Sequence, residues 1–353
     1  MLTKILPLFK PNSGCDFHRV VMPLQHLGVP MPTKVFTPEM FSKIRVVYFN
    51  RILAKTSPEE LQKLKSIYNI KVVMDLDDYW YLYPTHYLYK IWMADNVPDR
   101  TERFMKIADV ITCTTERLAS KIRPINDNIH VLPNATPLRG QFLPTEANYT
   151  PKGTRFGFVG GTSHLGDLRI IAPIFQTFSQ LDFTLAGYTG RGDSEKMRNI
   201  CSNYGKNLNF KTIPMTPLDK YMEAYNSLDC CIAPLMEEDF NAYKSNLKVI
   251  EAGSKKCALI CSPNKCYTDT VPDDVVTYCK SIKDWKEAIK KHQDIGYTKE
   301  RGEKLYNWVK TNYSLTDVNV KRLDLLKSLI PHEDNMDSPK TSATMLVPEN
   351  QVS

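Results

Sequence analysis

Twice along the chain, short runs rich in β-branched and aromatic residues alternate with stretches of helical period, and turn residues separate the two. In the first series VVYFN, closing at Asn50, reads as a buried strand. Ser57-Pro58-Glu59-Glu60 then gives a capping box with proline at the first helical position, and IKVVMDL over 70–76 is the next strand. A helix over 97–107, a strand over 108–113, a threonine-capped helix from 114 to about 123 and a strand within 128–135 continue the series. The second series opens at RFGFVGG, 155–161. It runs through helices at 167–179, 193–204, 217–227 and 244–253 and strands at 182–187, 208–213, 229–235 and 257–262. Alternation of this length builds parallel, doubly wound sheets, so the expected fold class is α/β with two Rossmann-like domains. Helices over 282–292, 298–311 and 315–330 follow.

A chain of 353 residues exceeds what one hydrophobic core serves, which agrees with two domains. The expected organisation is an N-terminal domain over 1–145, a C-terminal domain over 153–310 and a helix over 311–330 returning to the first domain. The polar composition of 331–353 reads as a disordered tail. No window holds the ~18 apolar residues of a membrane span, so a cytoplasmic protein is expected. Nine cysteines, none in a CxxC pair, read as free thiols in a reducing compartment, without structural metal. The net charge of +7 is scattered rather than gathered into basic runs, which argues against nucleic acid. It suits an anionic small ligand, or peripheral contact with an anionic membrane surface at the inner face. No pattern in the sequence sets an oligomeric state.

Two open α/β sheets facing each other would place the carboxyl ends of their strands on opposite walls of one cleft. Four segments could carry chemistry there. On a helix over 244–253, Lys244, Lys248 and Glu251 share a stripe about 60° wide, with Ser245 beside it. That pattern suits a diphosphate held at a helix start with a carboxylate deeper in, and equally suits a solvated face with i, i+3 and i, i+4 pairs. Gly160-Gly161-Thr162-Ser163-His164 stands between strand and helix, as a phosphate-approaching loop or a plain capped turn. Lys10-Pro11-Asn12-Ser13-Gly14 repeats that grammar and leads to His18 and Arg19 on a helix that Pro23 would kink. Asp75-Leu76-Asp77-Asp78 at a strand end runs into a dense aromatic stretch with His86. Its carboxylates could ligate a divalent ion, or the segment could be a sugar-facing or packing platform with one aspartate capping the next element.

In this order, RFGFVGGTSHLGDL, DCCIAPL, FNAYKSNLKVIEAG and KTNYSLTDVNVKRLDLL resemble the nucleotide-sugar domain of GT-B glycosyltransferases, in particular the family-four group of retaining enzymes. DLDDYWYLYPTHYLY, ADVITCTTERLASKI and HVLPNA resemble parts of the acceptor domain. The resemblance spans roughly 1–330. It implies a GT-B fold and transfer of a hexose from a nucleoside-diphosphate sugar to a hydroxyl acceptor, such as a glycan, a lipid-linked sugar or a protein, with retention and no metal cofactor. It further implies that Glu251 holds the donor ribose, that Lys244, Ser245 and Lys248 lie near the diphosphate, and that Gly160 and Gly161 open the donor loop with His164 nearby. His86 would contact the transferred sugar and Gly14 would belong to the N-terminal glycine loop. His18, Arg19, Asp77 and Asp78 fall on the acceptor side. Tyr243 stands where the family's first glutamate is usual, so Asp239 or Asn241 would supply the sugar contact. The basic clamp after the glycine loop is missing. Two rivals follow from those departures: a non-catalytic module that binds nucleotide or glycan, and a GT-B sugar-nucleotide epimerase.

Overall fold

The computed structural model describes residues 1–32, 41–144 and 153–330. It divides into two compact units, one made of 1–134, 243–245 and the chain from Leu315 on, the other of 135–242 and 246–314. The tail expected over 331–353 and the first domain boundary at 145 lie outside the described residues.

The first unit holds a five-stranded parallel sheet in the order β1 (Ile5–Leu8), β2 (Val46–Asn50), β3 (Lys71–Leu76), β4 (Val110–Cys113) and β5 (Ile129–Val131). Every residue of β2 is buried, as expected of a strand covered on both faces. Successive side chains alternate between the faces. Phe49 meets Phe104 of the Val97–Ile107 helix edge-on at 5.4 Å, while Val46 and Tyr48 join Val20, Leu24, Leu325 and Leu326 in one cluster. The last two leucines come from the Leu315–Ser328 helix, which packs in this unit. Ser57 and Glu60 close the capping box at the head of the Pro58–Tyr68 helix, and Thr115 caps Glu116–Ile122. Around Pro23 the helix is not broken: Gly14–Asp16 passes through a π-turn at Phe17–Val21 into Met22–His26. The wider turn absorbs the hydrogen bond that proline cannot donate.

In the second unit six parallel strands run in the order β11-β10-β9-β6-β7-β8. These are β6 (Phe156–Val159), β7 (Phe183–Tyr188), β8 (Phe210–Pro214), β9 (Cys230–Ala233), β10 (Ala258–Cys261) and β11 (Thr277–Tyr278). The order reverses direction between β6 and β9, the topological switch point where open α/β sheets bind ligands outside their carboxyl ends. Phe156, Phe158, Phe183, Leu185, Ile232, Ile260 and Trp285 fill its core. Among the described residues the nine cysteines form no disulfide, and eight of them are buried.

Three expected helices differ in detail. The one over 167–179 splits into Leu165–Ile170 and Ala172–Thr177, with Pro173 at the start of the second piece. The one over 217–227 is a 3-10 helix, Tyr221–Ser227. The one over 244–253 begins only at Leu247, because Tyr243, Lys244 and Ser245 pack in the first unit and leave the helical path.

Candidate active site

In the second unit the site is built at the switch point. β6 ends in Gly160-Gly161, a 3-10 turn over Thr162–His164 follows, and Leu165–Ile170 carries the buried carboxylate of Asp167. One Asp167 oxygen lies 2.8 Å from His164 Nδ1, and the other accepts from the Met236 N–H at 2.8 Å. A single carboxylate therefore ties the loop after β6 to the loop after β9. The Met236 carbonyl in turn accepts from the side-chain amides of Asn241 (3.0 Å) and Asn264 (3.1 Å). Asn241 is thus spent on holding the loop, and Asp239, the other substitute for the missing glutamate, is exposed.

The glycines at this loop have different reasons. Gly187, at the end of β7, has φ +92° and a Cβ there would lie 2.5 Å from the Gly160 carbonyl oxygen. A Cβ on Gly160 would lie 2.8 Å from the Phe158 ring and 3.2 Å from His164 Cδ2. Packing demands both. A Cβ on Gly161 meets no atom within 4 Å, so its bareness is not needed for packing.

The Leu247–Ser254 helix supplies Lys248 and Glu251, whose pair survives at 2.9 Å with i, i+3 spacing. Lys244 and Ser245 do not share that helix face, which corrects the three-residue stripe. Glu251 is 3% exposed, and both its oxygens have donors: Tyr221 Oη at 3.0 Å on one, Tyr225 Oη at 2.7 Å and Lys248 Nζ on the other. Burial first, and then the carboxylate itself, push both phenols well above their ordinary pKa, so they act as neutral donors. Neither tyrosine nor Asp167 was foreseen. The spacing His164-x-x-Asp167 was readable as an i, i+3 pair, whereas the tyrosines come from an element thirty residues away and left no local signal.

In the first unit the strand ends carry a buried polar network. Arg19, fully buried, grips both Asp75 oxygens at 2.8 and 2.9 Å and donates to Asn134 Oδ1 (3.1 Å) and the Leu132 carbonyl (2.8 Å). Arg19 is therefore a strut inside the unit, and its placement on the acceptor side of a ligand is not what its contacts describe. Asn134 Nδ2 donates to Ser245 Oγ at 2.7 Å, so Ser245 is anchored here rather than at the head of the 247–254 helix. Tyr243 lies with its ring 5.0 Å from Tyr79, and Lys121 sits over it at 5.2 Å. The aromatic stretch is mainly a packing platform: Trp80 and Tyr81 both donate to Glu102, and no aspartate caps the Tyr89–Ala94 helix.

Asp77 is buried and accepts from Asn50 (3.2 Å) and Arg51 (3.0 Å), and Arg51 lies 3.8 Å from Asp78. Burial raises Asp77, but Arg51, Cys15, Arg19 and Asn50 together outweigh it and hold this carboxyl below its usual range. Asp78 rises to about 6, chiefly through burial and then through its neighbour Asp77, with Lys244 and Arg51 pulling the other way. Cys15, Asp77 and Asp78 bring three ligand atoms within 4.8 Å of one another. Burial holds the thiol protonated and Arg51 is bonded to Asp77 and near Asp78, so a divalent cation would have to displace both the thiol proton and the guanidinium, and this donor set does not fit it. His18 is buried edge-on against Phe17 at 5.2 Å. Gly14 opens its helix behind the Ser13 cap with no atom within 4 Å of an added Cβ. His86 accepts the Leu88 N–H on Nδ1 at 3.2 Å, which in the neutral ring puts the proton on Nε2.

No family model matches the sequence, and no curated protein matches it as a relative. Solved structures do match. Sucrose-phosphate synthase (tll1590) from Thermosynechococcus elongatus superposes over 92% of this chain and 99% of its own, with TM-score 0.69 and 13% identity. Anabaena Alr3699/HepE in complex with UDP-glucose covers 92% and 99%, with TM-score 0.63 and 11% identity. A glycosyltransferase from Rickettsia africae ESF-5 covers 92% and 98%, with TM-score 0.63 and 13% identity. At such identities the likeness is one of fold, and with its two parallel-sheet units and C-terminal helices the chain has the GT-B fold.

Proposed function

We propose that the chain is a glycosyltransferase that moves a hexose from a nucleoside-diphosphate sugar to a hydroxyl acceptor, with retention and without a metal ion. The observation that carries this reading is the switch point of the second sheet. There Asp167 fixes His164 and the Met236 loop, and the Lys248–Glu251 pair stands on a helix of the same unit. HepE, one of the structures of like fold, was solved with UDP and with UDP-glucose, which supports a nucleotide sugar as donor here. In this reading the Gly160-Gly161 loop and the first-turn N–H groups of the Leu247–Ser254 helix approach the diphosphate. Lys248 stabilises the charge that develops on the leaving group, the term that distinguishes transition state from ground state. Ribose hydroxyls exchange for part of the tyrosine and lysine donation to Glu251. The acceptor molecule brings the hydroxyl that receives the hexose, and His86 Nε2–H is the proposed donor to the transferred sugar. The reaction belongs in the cytoplasm, with the scattered positive charge allowing contact with an anionic membrane surface.

Glu251 also gives the second reading its support. Its two oxygens are satisfied by the protein's own side chains, as suits a binding module that has lost turnover. Titrating UDP, GDP and their sugars by calorimetry against wild type, Glu251→Gln and Glu251→Ala decides first whether a nucleotide binds. We expect one base to bind without added metal and at least a tenfold loss in both variants. Absence of binding at millimolar nucleotide would sink both readings of the donor site. Binding without slow hydrolysis of the sugar nucleotide would favour the module.

A further inference from the structure

The first unit contains a cavity of about 650 Å³, within the range of small-molecule sites, at the carboxyl ends of β1 and β2. Part of its polar lining stands where the strands end: Ser13, Asp16, Asn50 and Arg51, of which Asp16 and Asn50 are buried. Arg51 has φ +59°, an uncommon backbone for a non-glycine residue and one that concentrates at ligand sites. Its guanidinium sits 5.2 Å over the Trp92 ring, and its buried Nε has no hydrogen-bond partner. The remaining wall is mostly apolar, with Lys10, Lys55, Thr56, Asp95 and Arg100 interspersed. Phe9, Phe41, Leu53 and Trp92 belong to its apolar part, together with Ile91, which is 61% exposed. Ile91 belongs to the Tyr89–Ala94 helix, which is rich in apolar residues yet buries none of them, with Met93 exposed beside it.

We infer that this cavity takes an amphipathic acceptor, an apolar aglycone carrying a hydroxyl-bearing polar head. A free glycan would pair poorly with the apolar part of this lining: hydroxyl groups against Phe41 and Leu53 would lose water without gaining partners. The head seats on Asp16, Asn50 and Arg51, and the apolar body follows the wall outward past Trp92 and Ile91. Calling the occupant an acceptor rests on the transferase reading. The occupancy itself is measured without nucleotide, so a cavity that fails to bind tells against this inference alone, and a chain that ignores nucleotides tells against transfer alone.

The probe is n-octyl β-D-glucoside below its micelle-forming concentration, with glucose as the control, measured by calorimetry at several temperatures. Octyl glucoside is expected to bind with a negative heat-capacity change while glucose does not. Ala54→Trp fills the cavity from an exposed lining position and spares the core, and it should raise the dissociation constant at least tenfold with the melting temperature unchanged. Co-sedimentation with phosphatidylcholine vesicles separates the sources. Pelleting that Ala54→Trp abolishes identifies an aglycone presented by a bilayer, and probe binding without pelleting identifies a soluble one. Equal binding of glucose and octyl glucoside would overturn the inference, as would no binding of either or an Ala54→Trp protein that binds like wild type.

Discussion

The two sheets are both parallel and both covered on two faces, yet they spend polar groups in opposite places. The second sheet keeps its strand interior mainly apolar and puts its charged groups on flanking segments, Asp167 and the Lys248–Glu251 pair around its switch point and the Arg155–Asp229 pair just before β6 and β9. The first sheet runs in simple sequence order and has no reversal among its described strands. It buries an ion pair, Arg19–Asp75, with Thr112, Tyr48 and Asn50 all bonded to the same aspartate. Where the strand order opens a crevice, an apolar interior suffices to support a site. Where it does not, the strand ends, the 243–245 segment and the segment after β5 are held together by one polar network, and the cavity forms against the Tyr89–Ala94 helix.

Breaking that network is the severest test of the contrast. Arg19→Met leaves Asp75 charged and unpaired in the interior, a change that costs about 3 to 5 kcal/mol in comparable buried pairs. Hydrogen exchange should show β1 to β4 losing protection while β6 to β10 keep theirs. A loss spread evenly over both sheets would mean that the two units do not store their stability separately.

The contrast also explains what was legible beforehand. β2, the capping box at Ser57, the helix over 97–107 and the helix over 282–292 were readable because local periodicity and cap chemistry decide them. Lys248 and Glu251 were readable as neighbours because three residues on a helix fix their spacing. Lys244 and Ser245 were misplaced because the stacking of Tyr243 on Tyr79 and the bond from Asn134 to Ser245 overrule helical propensity. Arg19 was placed on the acceptor side because its partners Asp75 and Asn134 are 56 and 115 residues away and leave no local signal. The Tyr221 and Tyr225 donors were hidden for the same reason.

A smaller effect sharpens the comparison from the side of pH. Asp78 has a folded pKa of about 6 against an ordinary value of 3.8, so between those values the folded chain holds its proton more tightly than the unfolded chain does. Stability of the first unit from this group therefore falls as pH rises from about 4 to about 6 and stays lower above it. Asp16, also raised to about 6 by burial, acts in the same direction. Asp78→Asn should remove about 1 to 3 kcal/mol of that slope in urea melts between pH 4.5 and 7.5, leaving the share of Asp16. Identical slopes in wild type and variant would show that Asp78 is solvated and that Lys244 and Arg51 do not confine it.

The smallest expected effect on stability is the most telling for the second sheet. Gly187→Ala should destabilise by more than about 1 kcal/mol, since the new Cβ would strike the Gly160 carbonyl oxygen and φ there is positive. Gly161→Ala has ordinary extended backbone and open space around the added methyl, so its melt should stay within about 1 kcal/mol of wild type. If the loop is bare because a diphosphate comes close to it, the same methyl should weaken nucleotide binding about tenfold, equal to ~1.4 kcal/mol. A Gly161→Ala chain that binds nucleotide as wild type does would assign the second glycine to chain geometry alone. The case for a donor at the switch point would then stand on Lys248, Glu251 and the His164–Asp167 pair.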